Sequence, residues 1–258
     1  MSNKNILCCG DSWTAGSNPR DENGIPLWTK PSTRDGPMVC DFFPLWPEVL
    51  AEKLNMGYIN LGCGGRGNEW IYNRIVDNWN GEKIIFVLWA NWDRWDFWKE
   101  TFILNEFFGD KGLQSTRGAV RARRKLVQDA LLKSDYVSAK YNFEKSMRWI
   151  YSLQNFCKIN NIKYVQGQAY YPARMTKSWS GYQKFIENKI QDYIDEEHFI
   201  GWPIFLKLCG FTMSDKLDEV DPDRTELRMN EHDTHPNEKG HRLIAQTFYQ
   251  YYKDLYGE

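Results

Sequence analysis

Short apolar runs alternate along the chain with longer segments whose apolar residues recur at helical spacing. The apolar runs have the length of buried strands and lie at residues 5–9, 58–61, 83–89 and 162–167. The segments with helical spacing lie at residues 45–54, 68–79, 138–160 and 237–252. Strands that alternate with helices in this order predict an α/β fold, a three-layer α/β/α sandwich of the flavodoxin-like kind with a mainly parallel sheet.

The connections between these elements predict where a site lies. Right-handed crossovers gather the loops that follow parallel strands along one edge of the sheet, where such folds bind ligands. The sequence has no internal repeat or low-complexity linker, so we expect one domain over residues 1–258. Residues 14–43 and 210–232 are predicted as long polar loops, and residues 92–135 as an insertion over the site edge.

Composition and charge narrow the class of protein. A hydrophobic share of 42% and a charged share of 26% are those of a globular chain. Lys and Arg (33 residues) nearly balance Asp and Glu (34 residues), so the net charge of −1 gives no general attraction to nucleic acid or to an anionic membrane. The basic segment 117–125 is interpreted as a solvated helix face, with an anionic glycan or nucleic acid partner as the alternative.

The expected cellular location follows from features that the sequence lacks. No run approaches the roughly 18–20 consecutive apolar residues that span a bilayer, and the apolar run at residues 5–9 is too short for a signal peptide. The six cysteines show no CxxC spacing, and Cys8 and Cys9 lie inside an apolar run. We therefore expect a cytoplasmic protein with free thiols and no membrane contact.

Aromatic residues are unusually frequent. They make up 16% of the chain, and 12 of them are Trp. Such rings either fill a core or line a surface that binds a sugar, a lipid or a partner.

A serine follows the first predicted strand, in the sequence Gly10-Asp11-Ser12-Trp13. A hydroxyl at a strand-to-helix turn is exposed at the carboxyl edge of the sheet, where a nucleophile must be, and its own N–H can stabilise an oxyanion. The triplet is also common in ordinary turns and helix caps, which is the alternative.

Three of the chain's four histidines lie just before the last predicted helix, at His232, His235 and His241. A hydroxyl nucleophile needs a base of near-neutral pKa, and the base needs a carboxylate that fixes its tautomer. His235 and Asp233 can supply both from one short loop. A metal site is the rival interpretation, but neither an HExxH motif nor a cysteine pair supports it, so we expect no metal and no cofactor.

A glycine-rich loop over residues 62–67 follows the second predicted strand and opens a helix that Asn68 can cap. It matches GxGxxG, so nucleotide binding is one possibility, although the expected ribose-binding acid is poorly placed. The other possibility is that Gly65 brings its N–H to a developing oxyanion.

Asn91 follows the clearest strand, in the sequence Trp89-Ala90-Asn91-Trp92-Asp93-Arg94. An Asn at this position can direct its amide into a site as a hydrogen-bond donor, or it can serve as a plain turn residue. Asp93 and Arg94 are expected to form a structural ion pair.

Taken together, Ser12, the Gly65 loop, Asn91 and the Asp233–His235 segment resemble the SGNH (GDSL-type) hydrolases, in whose order they occur. The resemblance implies Ser12 as nucleophile and His235 as general base. It also implies an oxyanion hole built from the backbone N–H groups of Ser12 and Gly65 and the side chain of Asn91. The Trp-rich segment around Asn91 (residues 89–94), which corresponds to the family's third conserved block, and the Gly-Arg-Gly-Asn sequence look most like those of divergent bacteriophage-encoded members. This adds a virion-associated location as an alternative.

Two departures from the family pattern affect the site. The family usually has Asp three residues before the His, yet that position is His232 here and Asp233 is only two before His235. Either the loop brings Asp233 to the imidazole, or Glu231 or no acid serves. The third block also has the bulky Trp89 where the family has glycine.

The sequence thus predicts a metal-independent serine esterase that cleaves a small acyl ester, with a carbohydrate O-acetyl group as one substrate class. Trp13, Trp89 and Trp92 are the candidates for walls of the substrate pocket. The alternatives are a phage-associated binding or structural protein on the same fold, and a nucleotide-binding protein that uses residues 62–67.

Overall fold

The computed structural model describes residues 5–16, 43–92, 94–97, 100–103, 139–170, 189–230 and 233–257. The strands in this part of the chain are β1 (Asn5–Gly10), β2 (Gly57–Asn60), β3 (Ile84–Trp89), β4 (Arg94–Phe97), β5 (Glu100–Ile103), β6 (Lys163–Gln168) and β7 (Phe199–Ile200). The α-helices are α1 (Ser12–Ala15), α2 (Trp46–Leu54), α3 (Asn68–Asn78), α4 (Ala139–Ile159), α5 (Met213–Val220) and α6 (Glu238–Tyr256). Short 3₁₀ helices span Lys189–Tyr193, Glu196–His198 and Leu206–Leu208.

Five strands form a parallel sheet in the order β2-β1-β3-β6-β7. The register sets Leu7 opposite Ile85 and Ile85 opposite Tyr164, and β3 pairs with β6 over the full length of both strands. All the carboxyl ends of a parallel sheet lie at one edge, so the loops after β1, β2, β3 and β6 meet there. Strands β4 and β5 form a separate antiparallel hairpin directly after β3.

Helices cover both faces of the sheet. Because successive strand residues point to opposite faces, Leu7 and Cys9 pack in a core with α3 and α4, whereas Ile6 and Cys8 pack in a second core with α2 and α6. These four residues are fully buried. The predicted three-layer α/β/α sandwich with a parallel sheet is confirmed.

The last helix shows why the sequence folds as it does. Asn237 caps α6 by accepting a hydrogen bond from the N–H of Gly240 at 3.1 Å, and Gly257 ends the helix at a φ of 70°. One face of α6 is buried, and Phe248 stacks on Trp46 of α2 with ring centroids 4.8 Å apart. This contact joins the two helices of one layer.

Several predicted bounds differ from the structure. Helix α5 lies in the predicted loop 210–232, where Thr212 and Asp215 form a reciprocal capping box. Asn68 is the first residue of α3 and not its cap, because its Oδ1 accepts the N–H of Ala90 at 2.9 Å. Of the predicted insertion at 92–135, the structure describes the hairpin β4–β5 and adjoining residues, and 104–135 lie outside the described residues. Most of the predicted loop 14–43 lies outside them too.

Among the helices in the described residues, none is both long enough and apolar enough to cross a membrane.

Candidate active site

Ser12 lies at the carboxyl end of β1, in the middle of the site edge. It is the first residue of α1, so its N–H has no acceptor within that helix. Asp11 caps α1 through Oδ1, which accepts the N–H of Trp13 at 2.9 Å. A Cβ on Gly10 would lie 2.6 Å from the carbonyl oxygen of Leu88, so glycine allows β1 to end this close to β3. The turn that presents Ser12 is therefore fixed by its own sequence.

His235 and Asp233 form a hydrogen-bonded line with Ser12. The Nε2 atom of His235 lies 2.8 Å from the Oγ of Ser12, and its Nδ1 lies 2.5 Å from Oδ1 of Asp233. The side chains of His235 and Asp233 are 33% and 37% exposed, so the line is open to solvent. The spacing of two residues between acid and base thus lets Asp233 reach the imidazole. Glu231, the other candidate acid, lies outside the described residues.

Local bonds hold Asp233 in this position. Its N–H donates to the side-chain oxygen of Asn230 at 2.8 Å, and its carbonyl accepts the N–H of Asn230 at 3.2 Å. Oδ1 of Asp233 also accepts the backbone N–H of His235 at 3.1 Å. The carboxylate therefore bonds to both the backbone and the ring of the same histidine.

Arg228 anchors the loop that carries Asp233 and His235, here called the histidine loop. Its side chain is buried, and it donates to the carbonyl of Thr234 at 3.0 Å and to Oδ1 of Asp218 at 2.8 Å. The guanidinium also lies 5.0 Å from the ring centroid of Trp13, the residue after Ser12. The loop that carries His235 is thus tied to the helix that carries Ser12. Arg228 was not predicted from the sequence, because an isolated arginine in a polar stretch gives no signal of burial.

The glycine loop after β2 lies against Ser12. A Cβ on Gly64 would lie 3.7 Å from the Cβ of Ser12. Gly65 adopts a φ of 76°, in the left-handed region, and a Cβ placed on it would have no heavy atom within 4 Å. Gly65 therefore borders open space, one residue along the loop from Gly64.

Asn60 ties the start of this loop to the serine turn. Its side chain donates to the carbonyl of Thr14 and accepts the N–H of Gly62, both at 2.9 Å. The N–H of Cys63 donates to the carbonyl of Gly10 at 3.1 Å. This role of Asn60 was not predicted from the sequence, although an Asn at the end of a predicted strand is a recognisable turn signal.

Asn91 lies two residues beyond the end of β3, which neighbours β1 in the sheet. It is 7% exposed, and its carbonyl accepts the N–H of Arg94 at 3.4 Å. The structure thus brings Asn91 to the same edge of the sheet as Ser12.

The three tryptophans expected to wall a pocket are all buried. Trp89 has no exposed surface and donates from Nε1 to the side-chain oxygen of Gln166 at 2.8 Å. Trp92 is 2% exposed and packs edge-on against Phe143. The prediction that Trp89 and Trp92 line the pocket is wrong, because both rings point into the core shared with α4. Trp13 is 4% exposed, so it offers little surface to a ligand.

Asp11 and Arg94 form a buried ion pair that the sequence did not predict. Nη1 of Arg94 lies 2.9 Å from Oδ2 of Asp11, and the two side chains are 11% and 0% exposed. The hydroxyl of Tyr170, at the end of β6, donates to the same oxygen at 2.8 Å and contacts Arg94. The expected Asp93–Arg94 pair stays a prediction, because Asp93 lies outside the described residues.

The start of α3 bears on the nucleotide-binding alternative. In a dinucleotide site the N–H groups at this helix terminus bind the pyrophosphate. Here the carboxylate of Asp96 accepts the N–H of Gly67 at 2.9 Å and that of Trp70 at 2.8 Å. A carboxylate already at this position opposes a phosphate, so the structure disfavours that alternative.

His241 does not face an open site. It is 1% exposed, and its Nδ1 accepts the N–H of Trp46 at 3.3 Å. Burial, with a smaller contribution from the charge on His235, lowers the pKa of His241 from 6.5 to about 3. His232 lies outside the described residues. Within the described part of the chain, no group of three or more His, Cys, Asp or Glu side chains is arranged to hold a metal ion.

Comparisons with solved structures place the fold. The α/β hydrolase LAE5 from the metagenome of Lake Arreo, Spain, aligns over 99% of this chain and 97% of its own, with 13% identity and a TM-score of 0.52. The acetylxylan esterase Axe2 from Geobacillus stearothermophilus aligns over 98% and 96%, with 14% identity and a TM-score of 0.50. A protein proposed to be a GDSL-like lipase from Parabacteroides merdae ATCC 43184 aligns over 100% and 97%, with 17% identity and a TM-score of 0.49.

No protein-family model matches the sequence, and no curated protein matches it either. The α/β fold predicted from the sequence is shared with LAE5 and with Axe2 over nearly the whole chain. At identities below 25%, this similarity establishes a shared fold, and function has to be argued from the site.

Proposed function

We propose that this protein is a serine esterase that cleaves a small acyl ester without a metal. The observation that carries the proposal is the continuous line from Ser12 Oγ through His235 to Asp233, with contacts of 2.8 and 2.5 Å. A hydroxyl, an imidazole and a carboxylate in this order are the parts that activate a serine nucleophile.

The reaction begins with attack on the ester carbonyl. Ser12 Oγ forms a bond to the carbonyl carbon while its proton moves to Nε2 of His235. Asp233 accepts the Nδ1–H, which fixes the tautomer and stabilises the imidazolium. The tetrahedral oxyanion is stabilised by the N–H groups of Ser12 and Gly65 and by the side chain of Asn91. Removing one such donor typically costs about 10²–10³ in rate.

Collapse of this intermediate releases the alcohol. The carbon–oxygen bond to the leaving group breaks, and His235 returns its proton to that oxygen. Water then attacks the acyl-enzyme, with His235 as base, and the second collapse releases the carboxylic acid and restores the Ser12 hydroxyl. The full cycle consumes one ester and one water and releases one alcohol and one carboxylic acid, with no cofactor.

The substrate class we propose is a short acyl ester, with O-acetylated carbohydrate as the first candidate. The support is the fold shared with Axe2, which is described as an acetylxylan esterase. A Cβ placed on Gly65 would meet no heavy atom within 4 Å, which is compatible with a small acyl group lying there. Because Trp89 and Trp92 are buried, the aromatic content of the chain is not an argument for a carbohydrate substrate.

The test is turnover of p-nitrophenyl acetate by the wild type beside Ser12→Ala and His235→Ala. Ser152→Ala is the matched control, because its hydroxyl bonds within α4 to the carbonyl of Arg148. We expect the first two variants to lose at least about 10³-fold in kcat and the control to retain it. Labelling by a fluorophosphonate should locate on Ser12 by mass spectrometry. Equal turnover by all four proteins would refute the esterase and leave a binding protein on this fold.

A further inference from the structure

The first strand of the hairpin contacts the glycine loop at two points. Arg94 and Asp96 are two positions apart on β4, so they share one face of the strand. Nη1 of Arg94 donates to the carbonyl of Arg66 at 2.8 Å. The two carboxylate oxygens of Asp96 accept the N–H groups of Gly67 and Trp70. The hairpin therefore holds the residues that directly follow Gly65.

Asp96 supplies what α3 lacks at its start. The first N–H groups of a helix have no partner within it, and the capping residue Gly67 has no side chain to offer. Asp96 is 8% exposed and serves two N–H groups at 2.9 and 2.8 Å, beside the positive end of the helix dipole. A Cβ on Gly67 would lie 2.6 Å from Oδ2 of Asp96, so only glycine permits this approach.

Arg94 connects the same loop to the nucleophile turn. The nitrogen that donates to the carbonyl of Arg66 also pairs with Asp11, the residue before Ser12, at 2.9 Å. One guanidinium thus sets the distance between the loop that contains Gly65 and the turn that contains Ser12. Its planar fork also reaches Tyr170 at the end of β6.

We propose that Arg94 and Asp96 are positioning residues that fix the Gly65 N–H relative to Ser12 for binding of the oxyanion. The inference rests on the proposed esterase function. Asn60 and Gly10 hold the loop before Gly65, and the hairpin holds it after Gly65. Gly65 is then the unobstructed point of a loop fixed at both ends. Because an oxyanion donor acts only when it is aimed at the developing charge, a shift of the loop lowers kcat and leaves ground-state binding intact.

The first test compares Asp96→Asn with Asp77→Asn, which removes an exposed carboxylate from the same helix. An amide of the same size has only one acceptor oxygen, so it cannot serve both N–H groups. With a short chromogenic ester, we expect kcat to fall at least about tenfold in Asp96→Asn, with KM within about twofold of wild type. We expect the Asp77→Asn control to match wild type. Unchanged kcat, or a rise in KM alone, would overturn the positioning role.

Arg94→Lys is the second variant and keeps the charge opposite Asp11. An ammonium lacks the planar fork, so we expect it to lose the bond to the Arg66 carbonyl and to lower kcat in the same way. If Asp96→Asn does not fold, this variant decides the matter, and wild-type kcat in it would refute the inference.

Hydrogen exchange separates this inference from the proposed function. We expect faster deuterium uptake over residues 62–70 in Asp96→Asn than in wild type or Asp77→Asn. A wild-type protein with no hydrolysis would refute the esterase, and exchange would then decide alone whether Asp96 anchors the loop. Unchanged uptake would overturn the anchor as well.

Discussion

Acidification should destabilise this protein through one buried histidine. His241 is 1% exposed and is held neutral, with its pKa lowered from 6.5 to about 3 by burial and, less, by the charge on His235. Its Nδ1 must stay unprotonated to accept the N–H of Trp46 at the start of α2. The unfolded chain binds a proton on this residue below pH 6.5, whereas the folded chain does not until about pH 3.

The sign and the size follow from linkage. A pKa that is lower in the folded state gives stability that is complete above the unfolded pKa and is lost as the pH falls. Each pH unit between the two pKa values costs about 1.4 kcal/mol, so acidification from pH 7 to pH 5 removes about 2 kcal/mol. Asp195 and Asp221 do not add to this loss. Their pKa values are lowered from 3.8 in the folded state, so both carboxylates are ionised in the folded and the unfolded chain between pH 7 and pH 5.

The assay is urea denaturation of wild type and His241→Asn at pH 7 and at pH 5. The Asn oxygen can still accept the N–H of Trp46, but the side chain does not titrate. We expect the free energy of unfolding of the wild type to fall by about 2 kcal/mol more than that of the variant between the two pH values. The variant is less stable at both pH values because its side chain is smaller, and only the difference between them reports the titration. An equal fall in both proteins would refute the reasoning.

Three further predictions concern the site. Asp233→Asn should lower kcat by about 10²–10⁴ with KM retained, measured by ester turnover, because an amide stabilises the wrong tautomer and no imidazolium; wild-type kcat would exclude Asp233 as the orienting acid. Gly65→Ala should lower the free energy of unfolding by about 1 kcal/mol in urea denaturation and should also lower kcat. Gly81→Ala, with a φ of 89° and equally open surroundings, should lower only the free energy of unfolding. Equal kcat in the two variants would exclude Gly65 from the oxyanion hole. Arg228→Met should lower the free energy of unfolding by about 2 kcal/mol or more and lower kcat, because the histidine loop loses its anchor; unchanged kcat in the folded variant would show that the loop holds itself.

Features that are local in sequence were predictable. The apolar run of β3 identifies a strand covered on both faces, and every one of its residues is buried. The turn at Ser12 and the short span from Asp233 to His235 need only neighbouring residues, so motif spacing locates them. Helix α5 was missed for the converse reason: its eight residues carry only Met213 and Leu217 as buried positions, too few for a periodic signal.

Long-range polar contacts were not predictable in the same way. Asp11 meets Arg94, and Gly67 meets Asp96, through contacts made only when the hairpin folds back onto the site edge. A charged residue in a polar stretch is predicted to be exposed to solvent, because its burial depends on a partner far along the chain. The sequence therefore predicts which residues can carry chemistry at this edge, and it leaves out the residues that hold them in place.

The contacts of the buried tryptophans were not predictable from the sequence either. Trp13 lies between the ring of Tyr170, at 5.5 Å, and the guanidinium of Arg228, at 5.0 Å. It thereby links the helix that starts at Ser12 to the end of β6 and to the loop that carries His235. Its contribution is to keep Ser12 and His235 in register, and Trp89 and Trp92 pack in the core beneath. The proposed mechanism requires a geometry that holds to within about 0.5 Å, so burial of these rings serves it better than exposure to a ligand would.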